Sequence, residues 1–534
     1  MQAWMSNSLT RYYPASEARR QDSIELEAAR GERISAQVVF RTEYLEGPIE
    51  VTATANAPEG VSVKIRRVGY VPMPHLNTGV PSDDIEGVGH IPGLVPDPLF
   101  PENTAPAGAF ETQAFWLTLI IDKEIKPGRY IMPITLSVGG NTAASLQVTL
   151  NVHPAVLPLR RDFPVTHWFY ADALCDWYKT EITQEKFWQI LEPYFANLTE
   201  HGQDTIYVPV FTPPLDGVKR PTQLLGIQKE KSSYQFDWSL VQRWVKAAKS
   251  KGLTHFEWTH LFSQWGAKYP LRIYKEHGEK GKLLWKPETP ATALVYRRFL
   301  SQFLQELHGF LQAEGILEKS FFHVSDEPHG EEALANYRAA RKMLQELAPW
   351  MKVMDALSDI AIARTGLIDE PIPSISVAPD FIKEGFKAWA YFCCGPRGRY
   401  LNRFLDTPLL KIRMSGWLFY RLKAHGFLHW GYNYWYKCGT TQLIDPFIIC
   451  DAMNWPGWTY GDPFVVYPGS DGPLDSLRWE VFAESLQDYA LIQNSGIVPE
   501  DPLLADIKNY ADFPRREDWI NQRRKEALAR LDNS

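Results

Sequence analysis

The stretch FFHVSDEPHG (residues 321–330) is a short apolar run followed by two adjacent carboxylates and a proline. The apolar residues 321–324 have the length and composition of a buried β-strand. Asp326 and Glu327 follow almost directly, and Pro328 ends strand pairing because it lacks an amide N–H. Since the residue before a proline avoids the helical region, we expect Glu327 to be extended.

The segments on either side of this strand alternate between strand and helix patterns. Eight apolar runs predict strands at residues 165–170, 205–211, 253–260, 321–325, 352–358, 374–379, 387–394 and 426–435. Most of them are separated by stretches with apolar residues at helical spacing, such as residues 296–315. Eight strands that alternate with helices predict a (β/α)8, TIM-like barrel over residues 156–440.

The two ends of the chain have a different pattern. Residues 1–155 contain period-two alternation at 23–42, 114–138 and 145–154, with glycine and proline turns, which predicts an N-terminal β-sandwich. Residues 71–113 are rich in proline and glycine and are expected to form a long connection. Residues 441–534 contain loop and helix patterns, and we expect a C-terminal extension that packs on the barrel. The predicted class is therefore multidomain β and α/β.

Composition narrows the function. The 534 residues carry a net charge of -7 without a long basic run, so no nucleic-acid partner is expected. No run approaches the ~20 apolar residues of a membrane span, and no signal-peptide core is visible. We expect a cytoplasmic protein, with a secreted form that has lost its leader as the alternative. The five cysteines include no C-x-x-C pair, which favours reduced thiols; neither a metal site nor a cofactor is expected, and the oligomeric state stays open.

The paired acids suggest glycoside cleavage. Active sites of barrels lie at the carboxyl ends of their strands, where Asp326 and Glu327 are predicted. Two adjacent carboxylates in a partly dry cleft cannot both ionise cheaply, so one keeps a proton and can act as a general acid. The alternative is structural: both acids could stabilise the amino end of the following helix.

A second, separate carboxylate is missing where a retaining glycosidase would have its nucleophile. Such enzymes place it ~5 Å from the acid, often on the seventh strand. That strand ends in YFCCGPRGR (residues 391–399), which contains no acid. The 2-acetamido group of the substrate can replace it, because an intramolecular nucleophile has a large effective concentration. Glu327 would then be the acid/base, and Asp326 would orient and stabilise the acetamido group.

Several motifs resemble glycoside hydrolase family 123 and the wider group called domain of unknown function 4091. They are the Asp-Glu-Pro triplet, ARGERISAQVVF (29–40), PGRYIMPITL (127–136) and RWEVFAESLQDYALI (478–492). The resemblance implies a β-sandwich followed by a barrel, and a retaining β-N-acetylgalactosaminidase with substrate-assisted catalysis. It maps the family's adjacent acids onto Asp326 and Glu327. The implied partner is a glycan or glycoside with a terminal β-linked amino sugar.

Aromatic and polar residues near the strand ends are candidates for sugar binding. Trp430 or Trp435, in GFLHWGYNYW (residues 426–435), could form a platform under the sugar, and Tyr432 could bind the acetamido carbonyl. The remaining candidates near strand ends are Asn433, Tyr391, Trp258 and Asp355. The alternative for each is packing or an internal hydrogen bond within the barrel wall.

Three functions remain open at this point. The leading one is a retaining exo-acting hydrolase for a β-linked 2-acetamido sugar. The second is a conventional two-carboxylate glycosidase, which needs another acid near Glu327, such as Asp355 or Glu257. The third is a non-catalytic carbohydrate-binding protein on a degenerate barrel.

Overall fold

The computed structural model of the protein describes residues 1–213, 220–275, 277 and 282–533. Within these ranges the chain has a β-rich amino-terminal region, a middle region of short strands and helices, and a mainly helical end. No helix in the described ranges is long and apolar enough to cross a membrane.

Two five-stranded sheets form the amino-terminal region. The strands are β1 (Gln2–Asn7), β2 (Ser23–Arg30), β3 (Arg33–Arg41), β4 (Ile49–Ala55), β5 (Val61–Met73), β6 (Gly93–Phe100), β7 (Thr104–Ala107), β8 (Thr112–Ile121), β9 (Gly128–Val138) and β10 (Asn141–Val156). Their orders are β1-β3-β8-β5-β6 and β2-β10-β9-β4-β7. Apolar side chains of both sheets share one core, which explains the alternation in the sequence.

Strand β8 shows how this alternation serves two interfaces. Phe115 and Leu117 point into the core between the sheets. Trp116 lies on the opposite face, in the core that the first sheet shares with the rest of the chain. The β-rich region is therefore attached to the middle region through apolar packing as well as through the chain.

The expected long connection at residues 71–113 is wrong in part, because β6 and β7 lie within it. Each of these strands is at the end of its sheet in the strand order. Edge strands tolerate proline because one side of the backbone needs no hydrogen-bonding partner. Proline-rich sequence was therefore a poor guide here, while the buried Val95 and Leu99 supply the reason for the strand.

Short parallel strands and helices alternate in the middle region. The strands are β11 (Val165–His167), β12 (Thr205–Val208), β15 (His255–Trp258), β16 (Ser320–Phe322), β17 (Met354–Ala356), β18 (Glu370–Ile372), β19 (Ala390–Tyr391) and β20 (Phe427–His429), with a hairpin of β13 (Gly226–Glu230) and β14 (Ser233–Asp237). The helices are α1 (Ala171–Tyr178), α2 (Glu185–Glu200), α3 (Ser239–Ser250), α4 (Leu294–Ala313), α5 (Gly330–Leu347), α6 (Ile360–Ala363), α7 (Ala378–Lys383), α8 (Leu409–Arg413) and α9 (Ser415–Arg421). Outside the hairpin, every strand pair in this region is parallel.

The closed barrel is not confirmed, whereas the α/β organisation is. The parallel strands pair in three groups, β11-β20-β19, β12-β15-β16 and β17-β18. Single parallel bridges, Phe322 to Val353 and Ser374 to Tyr391, extend from one group to the next. Among the described residues no ladder joins β11 to β12. Because neighbouring strands run in the same direction, their carboxyl ends still meet at one edge.

The predicted sixth strand is wrong in position. The strand of this region is β18, and residues 374–379 instead lead into α7. The amide N–H groups of Val377 and Ala378 both donate to the Ser374 carbonyl oxygen, which starts a helical turn. The apolar run in the sequence could not distinguish a strand from the first turn of a helix.

The carboxyl-terminal segment contains β21 (Tyr467–Pro468), β22 (Pro473–Leu474), α10 (Leu477–Asn494) and α11 (Glu517–Asp532). Helix α10 is buried along nearly its whole length. It carries Glu480, whose carboxylate accepts hydrogen bonds from Arg33 at 2.5 Å and from Arg66 at 2.8 Å. Both arginines belong to the amino-terminal sheets, so α10 links the two regions through ion pairs as well as apolar contacts.

Candidate active site

Asp326 lies just beyond the end of β16, on the edge where the parallel strands finish. Its backbone carbonyl accepts a hydrogen bond from the Trp265 amide at 2.8 Å. The Gln264 side-chain amide lies 3.4 Å from Asp326 Oδ2. Only 9% of Asp326 is exposed, so the carboxylate is held in a partly dry position. The end of β16 and the segment after β15 therefore fix Asp326 together.

Glu327 has an unusual backbone. Its φ is +37°, so the expectation of an extended residue is wrong. Positive φ is costly for a residue with a Cβ, and such residues persist where the surroundings hold them, often in functional sites. Here the preceding residue is bonded to Trp265, and α5 begins only three positions later, at Gly330. The tight turn directs Glu327 away from the path of the strand.

Tyr391, at the end of β19, is the hydrogen-bonding partner of Glu327. Its hydroxyl donates to Glu327 Oε1 in a very close contact. Burial, followed by the charge of the Glu327 carboxylate, raises the pKa of Tyr391 well above its ordinary value. The tyrosine therefore stays protonated and remains a donor to this carboxylate throughout the neutral range.

Both acids open into one cavity of about 200 Å³. This volume is below the range of about 300–1,000 Å³ for pockets that take drug-sized ligands, and it suits a single sugar ring. The wall consists mainly of aromatic, apolar and thiol groups: Trp168, Trp265, Ala356, Tyr391, Cys393, Cys394, Leu428, Trp430 and Trp458, together with Gln264. Among the described residues of this lining, Asp326 and Glu327 are the only carboxylates.

Trp430 is the aromatic wall on the β20 side, and its orientation is fixed from behind. Its indole N–H donates to Asp462 Oδ2 at 2.8 Å. Burial raises the pKa of Asp462 to about 7, and the hydrogen bond from Trp430 opposes that rise. His429 Nε2 lies 3.3 Å from the other Asp462 oxygen. The ring of Trp430 is thus held by a buried polar group rather than by packing alone.

A closed polar cluster lies behind the cavity. It contains Glu257 of β15, His323 and Asp355 of β17, all of them buried. His323 Nε2 is 2.7 Å from Glu257 Oε1, and His323 Nδ1 is 3.1 Å from Asp355 Oδ1. Burial alone would lower the pKa of His323, but the hydrogen bonds to Asp355 and Glu257 outweigh it and raise the pKa to about 10. The imidazolium is therefore held between two carboxylates.

This cluster supports the cavity wall. The Trp168 indole N–H donates to Glu257 Oε1 at 2.7 Å, and Trp168 lines the cavity. On the other side, the Tyr337 hydroxyl donates to Asp355 Oδ2 at 2.6 Å. Every carboxylate oxygen in the cluster has a donor within hydrogen-bonding distance, because Thr166 binds the remaining Glu257 oxygen at 2.6 Å. The cluster has the features of a positioning element.

The residues predicted to bind the sugar divide into two groups. Tyr391 and Trp430 line the cavity beside Asp326 and Glu327. The others are buried elsewhere and are not part of its lining: Tyr432, Asn433, Trp435, Trp258 and Asp355.

Local structure explains these positions. Strand β20 ends at His429, so strand alternation does not extend to residues 432–435. Asn433 instead hydrogen-bonds the backbone of Tyr170, and the Trp435 indole donates to the Val466 carbonyl. Tyr432 donates to Asn197 at 2.8 Å, and Trp258 donates to Ser320 at 3.0 Å. All four side chains thus have internal partners.

Several cavity residues carried no usable signal in the sequence. Gln264, Trp265 and Trp458 lie on loops after strands or in the carboxyl-terminal segment, where periodicity does not apply. Trp168 lies within the predicted strand at residues 165–170, but it directly follows the end of β11. Cys393 and Cys394 follow β19, and their Sγ atoms are 3.9 Å apart. In the sequence, the run YFCC (residues 391–394) is distinctive only because it lacks an acid, and nothing in it indicates that the two cysteines line a cavity.

Two groups of side chains in the described residues have the spacing of metal ligands. One is His260, His323 and Asp355, in which both ring nitrogens of His323 already contact carboxylates. The other is His201, Asp475 and Glu480, where arginines bind the carboxylates. Neither group offers a set of free donor atoms to a cation.

The chain matches the family model described as glycoside hydrolase 123, catalytic domain, over residues 168–495, more than half of its length. Its structure is similar to that of a family 123 glycoside hydrolase from Clostridium perfringens, described for glycolipid glycan hydrolysis. That likeness has a TM-score of 0.74 at 14% identity and covers 99% of this chain and 97% of the other. At this identity it shows the fold.

Two further solved structures are much less similar. A family 5 xyloglucanase from Bacteroides ovatus has 11% identity and a TM-score of 0.29, over 87% of this chain and 98% of that one. A family 2 β-galacturonidase from Eisenbergiella tayi has 10% identity and a TM-score of 0.30, over 91% and 73%. Among curated protein sequences, none matches the chain.

Proposed function

The chain belongs to glycoside hydrolase family 123, and from this premise we propose that it removes a terminal β-linked N-acetylgalactosamine, or a closely related 2-acetamido sugar, with retention of configuration. The observation that carries the proposal is the cavity itself. Its described lining has two adjacent carboxylates and no third, together with aromatic walls around the space of one sugar ring. We also infer that the eight parallel strands follow one another around a barrel, with this cavity at their carboxyl ends.

In the first step Glu327 is the acid. It gives its proton to the glycosidic oxygen as the bond from that oxygen to C1 breaks. The carbonyl oxygen of the substrate's acetamido group attacks C1 from the opposite face and forms an oxazolinium ring. Asp326 accepts a hydrogen bond from the acetamido N–H and balances the positive charge that develops there.

In the second step Glu327 acts as the base. It takes a proton from water, whose oxygen attacks C1 and reopens the oxazolinium ring. Two inversions at C1 give overall retention. Tyr391 holds Glu327 in position through its hydrogen bond, and Trp430 supplies an apolar face for the sugar ring. General acid catalysis of this kind contributes on the order of 10² to 10⁴ in rate.

The alternative with a protein nucleophile finds little support in this geometry. Its two candidate acids were Asp355 and Glu257, and both are fully buried in the closed cluster. Each is bound to His323 and to at least one neutral donor. A carboxylate that is turned away from the cavity and already hydrogen-bonded is a poor nucleophile.

The decisive test compares aryl glycosides with and without a 2-acetamido group. We expect turnover of the aryl β-N-acetylgalactosaminide and none of the aryl β-galactoside, together with inhibition by a thiazoline analogue of the oxazolinium ring. Proton NMR of the first product should show the β-anomer. Strong activity on the plain galactoside would remove the substrate-assisted mechanism, and ligand binding without turnover of any glycoside would favour a binding protein.

A further inference from the structure

Two consecutive cysteines lie in the wall of the cavity. Cys393 and Cys394 line it beside Glu327 and Tyr391, and their Sγ atoms are 3.9 Å apart. Both residues are partly exposed. None of the other three cysteines belongs to the described lining, and two of them are buried. A small molecule that enters the cavity therefore meets two neighbouring thiols.

The backbone of this segment is held by residues on both sides of the pair. The Asn402 side-chain amide donates to the Cys393 carbonyl oxygen at 2.9 Å. The Arg397 Nε–H donates to the Cys394 carbonyl oxygen, also at 2.9 Å. Phe392, which directly precedes the pair, is fully buried. These anchors keep both sulfur atoms together at the cavity wall.

The two thiols also differ in how they hold their protons. The hydrogen bond with Cys394, followed by burial, raises the pKa of Cys393 well above its ordinary value. Cys393 therefore keeps its proton at neutral pH. Because a thiolate is the attacking form, the first attack on an oxidant comes from Cys394. Once Cys394 has reacted, its hydrogen bond no longer holds the Cys393 proton, and Cys393 can attack in turn.

A disulfide between neighbours in the chain is strained. The Cα atoms of consecutive residues are about 3.8 Å apart across a trans peptide. The usual Cα separation in a disulfide is about 4.4–6.8 Å, and deviations from it make the bond easier to reduce. Disulfides that are easily reduced are the labile and regulatory ones. A bond between these cysteines would therefore form and open reversibly instead of serving as a permanent brace.

We propose that Cys393 and Cys394 are a reversible oxidation site, at which closure to a disulfide switches hydrolysis off. The effect on hydrolysis rests on the proposed function. A disulfide bond is about 2.05 Å long, so the sulfur atoms, now 3.9 Å apart, have to approach each other by about 2 Å. This movement takes place in the wall of a cavity that suits one sugar ring, just after Tyr391, which holds Glu327. Misplacement of reacting groups by about 1 Å can lower a rate about 10²-fold.

The oxidant in this proposal is a low-molecular-weight disulfide. The Cys394 thiolate attacks one of its sulfur atoms, a mixed disulfide forms, and the first small thiolate leaves. Cys393 then loses its proton to solvent and attacks the Cys394 sulfur, which releases the second small thiolate. The two cysteines lose two electrons and two protons in total, and the small disulfide becomes two small thiols.

The test exposes the full-length protein to hydroxyethyl disulfide and mercaptoethanol at a series of ratios. Mass spectrometry after alkylation counts the free thiols, and hydrolysis of the aryl β-N-acetylgalactosaminide is measured in the same samples. The tryptic peptide of residues 388–397 contains both cysteines and no other. We expect this peptide to lose both thiols while activity falls about tenfold or more. Dithiothreitol should restore both.

Two variants identify the thiols responsible. A double variant with Cys393→Ser and Cys394→Ser should have the same activity with and without the disulfide reagent, when compared with its own untreated level. Cys438→Ser is the matched control, because Cys438 is also partly exposed but lies outside the described lining, and it should respond as the wild type does. Thermal unfolding checks the fold of each variant, and thiol counting in the wild type needs no variant.

The opposite outcomes are equally clear. Two free thiols in this peptide at the most oxidising ratio, or only a mixed disulfide, would overturn the inference. An internal disulfide that leaves wild-type activity unchanged would overturn the switch, as would an equal loss of activity in the double variant. Thiol counting requires no turnover. An internal disulfide in a protein that hydrolyses no aryl glycoside, even when reduced, would uphold the oxidation site and contradict the proposed function instead.

Discussion

Two groups of acids in this protein have the same chemistry and different surroundings. Asp326 and Glu327 line an open cavity, whereas Glu257 and Asp355 lie on either side of His323 in a closed cluster. In the closed cluster every carboxylate oxygen has an internal donor. The open pair faces a space that a substrate can enter.

Two carboxylates of the same type can therefore differ in role according to whether they face a cavity or internal donors. Removing one partner of a buried ion pair leaves an uncompensated charge and is strongly destabilising. We therefore expect Glu257 and Asp355 to stabilise the fold. In the open pair, Asp326 accepts a hydrogen bond from the Trp265 amide at its backbone carbonyl and contacts the Gln264 side chain, and Glu327 accepts from the Tyr391 hydroxyl, while both acids line the cavity. Changes to the open pair should therefore affect activity, and changes to the closed cluster should affect stability.

The largest effect is expected in the open pair. Glu327→Gln should lower kcat for substrates with poor leaving groups by about 10² to 10⁴, because the proton donor is lost. Asp326→Asn should lower activity toward all leaving groups, since the oxazolinium charge is no longer balanced. Steady-state kinetics with a series of aryl leaving groups measures both. Equal and small effects of the two changes would contradict the assignment.

Asp355→Asn should act on stability. The change leaves a buried imidazolium with one carboxylate fewer, and breaking such a pair costs about 3–5 kcal/mol. Urea unfolding measures the loss. Glu318→Gln is the matched control, because that side chain is 80% exposed and should change the free energy of unfolding by at most about 0.5 kcal/mol. A stable but inactive Asp355→Asn would mean that the closed cluster takes part in the reaction.

Tyr391→Phe removes the hydrogen bond that the tyrosine hydroxyl donates to Glu327. Hydrogen bonds to charged groups contribute about 1.5–3 kcal/mol, so we expect kcat/KM to fall at least about tenfold with little change in thermal stability. Because the pKa of Tyr391 is raised, the tyrosine itself should produce no limb in the pH profile. Loss of an alkaline limb in the variant would show that the tyrosine titrates after all.

The protonation of His323 predicts a pH dependence of stability. Its pKa is about 10 in the folded protein and about 6.5 in an unfolded chain, so the folded state binds an extra proton between these values. The free energy of unfolding should therefore decrease from about pH 6.5 to 10, by at most about 1.4 kcal/mol per pH unit. His323→Gln should lack this decrease. Parallel curves for the two proteins in urea unfolding across this range would argue against a buried imidazolium.

Much of the fold was predictable because burial produces periodicity. The β-rich beginning and the alternation of strands and helices follow from the spacing of apolar residues. The fold predictions were wrong where hydrogen bonding, and not apolar spacing, determines the secondary structure. Prolines are acceptable in β6 and β7 because these are edge strands, and Ser374 starts a helical turn although its neighbours are apolar. Pairing between strands, and therefore closure of a barrel, depends on contacts that are distant in sequence.

The part of the site that could be predicted consists of sequence neighbours and of aromatic residues near predicted strand ends. Asp326 and Glu327 are adjacent in sequence, and the cavity brings them to Tyr391 and Trp430, which were among the expected residues. Asp355 was indistinguishable from a sugar ligand, because only the structure shows its three donors. Nothing in the sequence indicates Trp265 as a cavity residue, because its position depends on a turn that is bonded to Ser325 and packed against Ala333, both distant in the chain.

Helix α10 has a consequence for any attempt to divide the protein. Glu480 forms ion pairs with Arg33 and Arg66, and Arg524 forms one with Glu32. Ion pairs with buried carboxylates therefore connect the first 155 residues to the remainder of the chain. A shortened version that starts at residue 156 would keep Glu480 and Arg524 while losing these counter-ions. The hydrolytic region should therefore not be transferable as a separate module, and heat should melt both regions in a single transition.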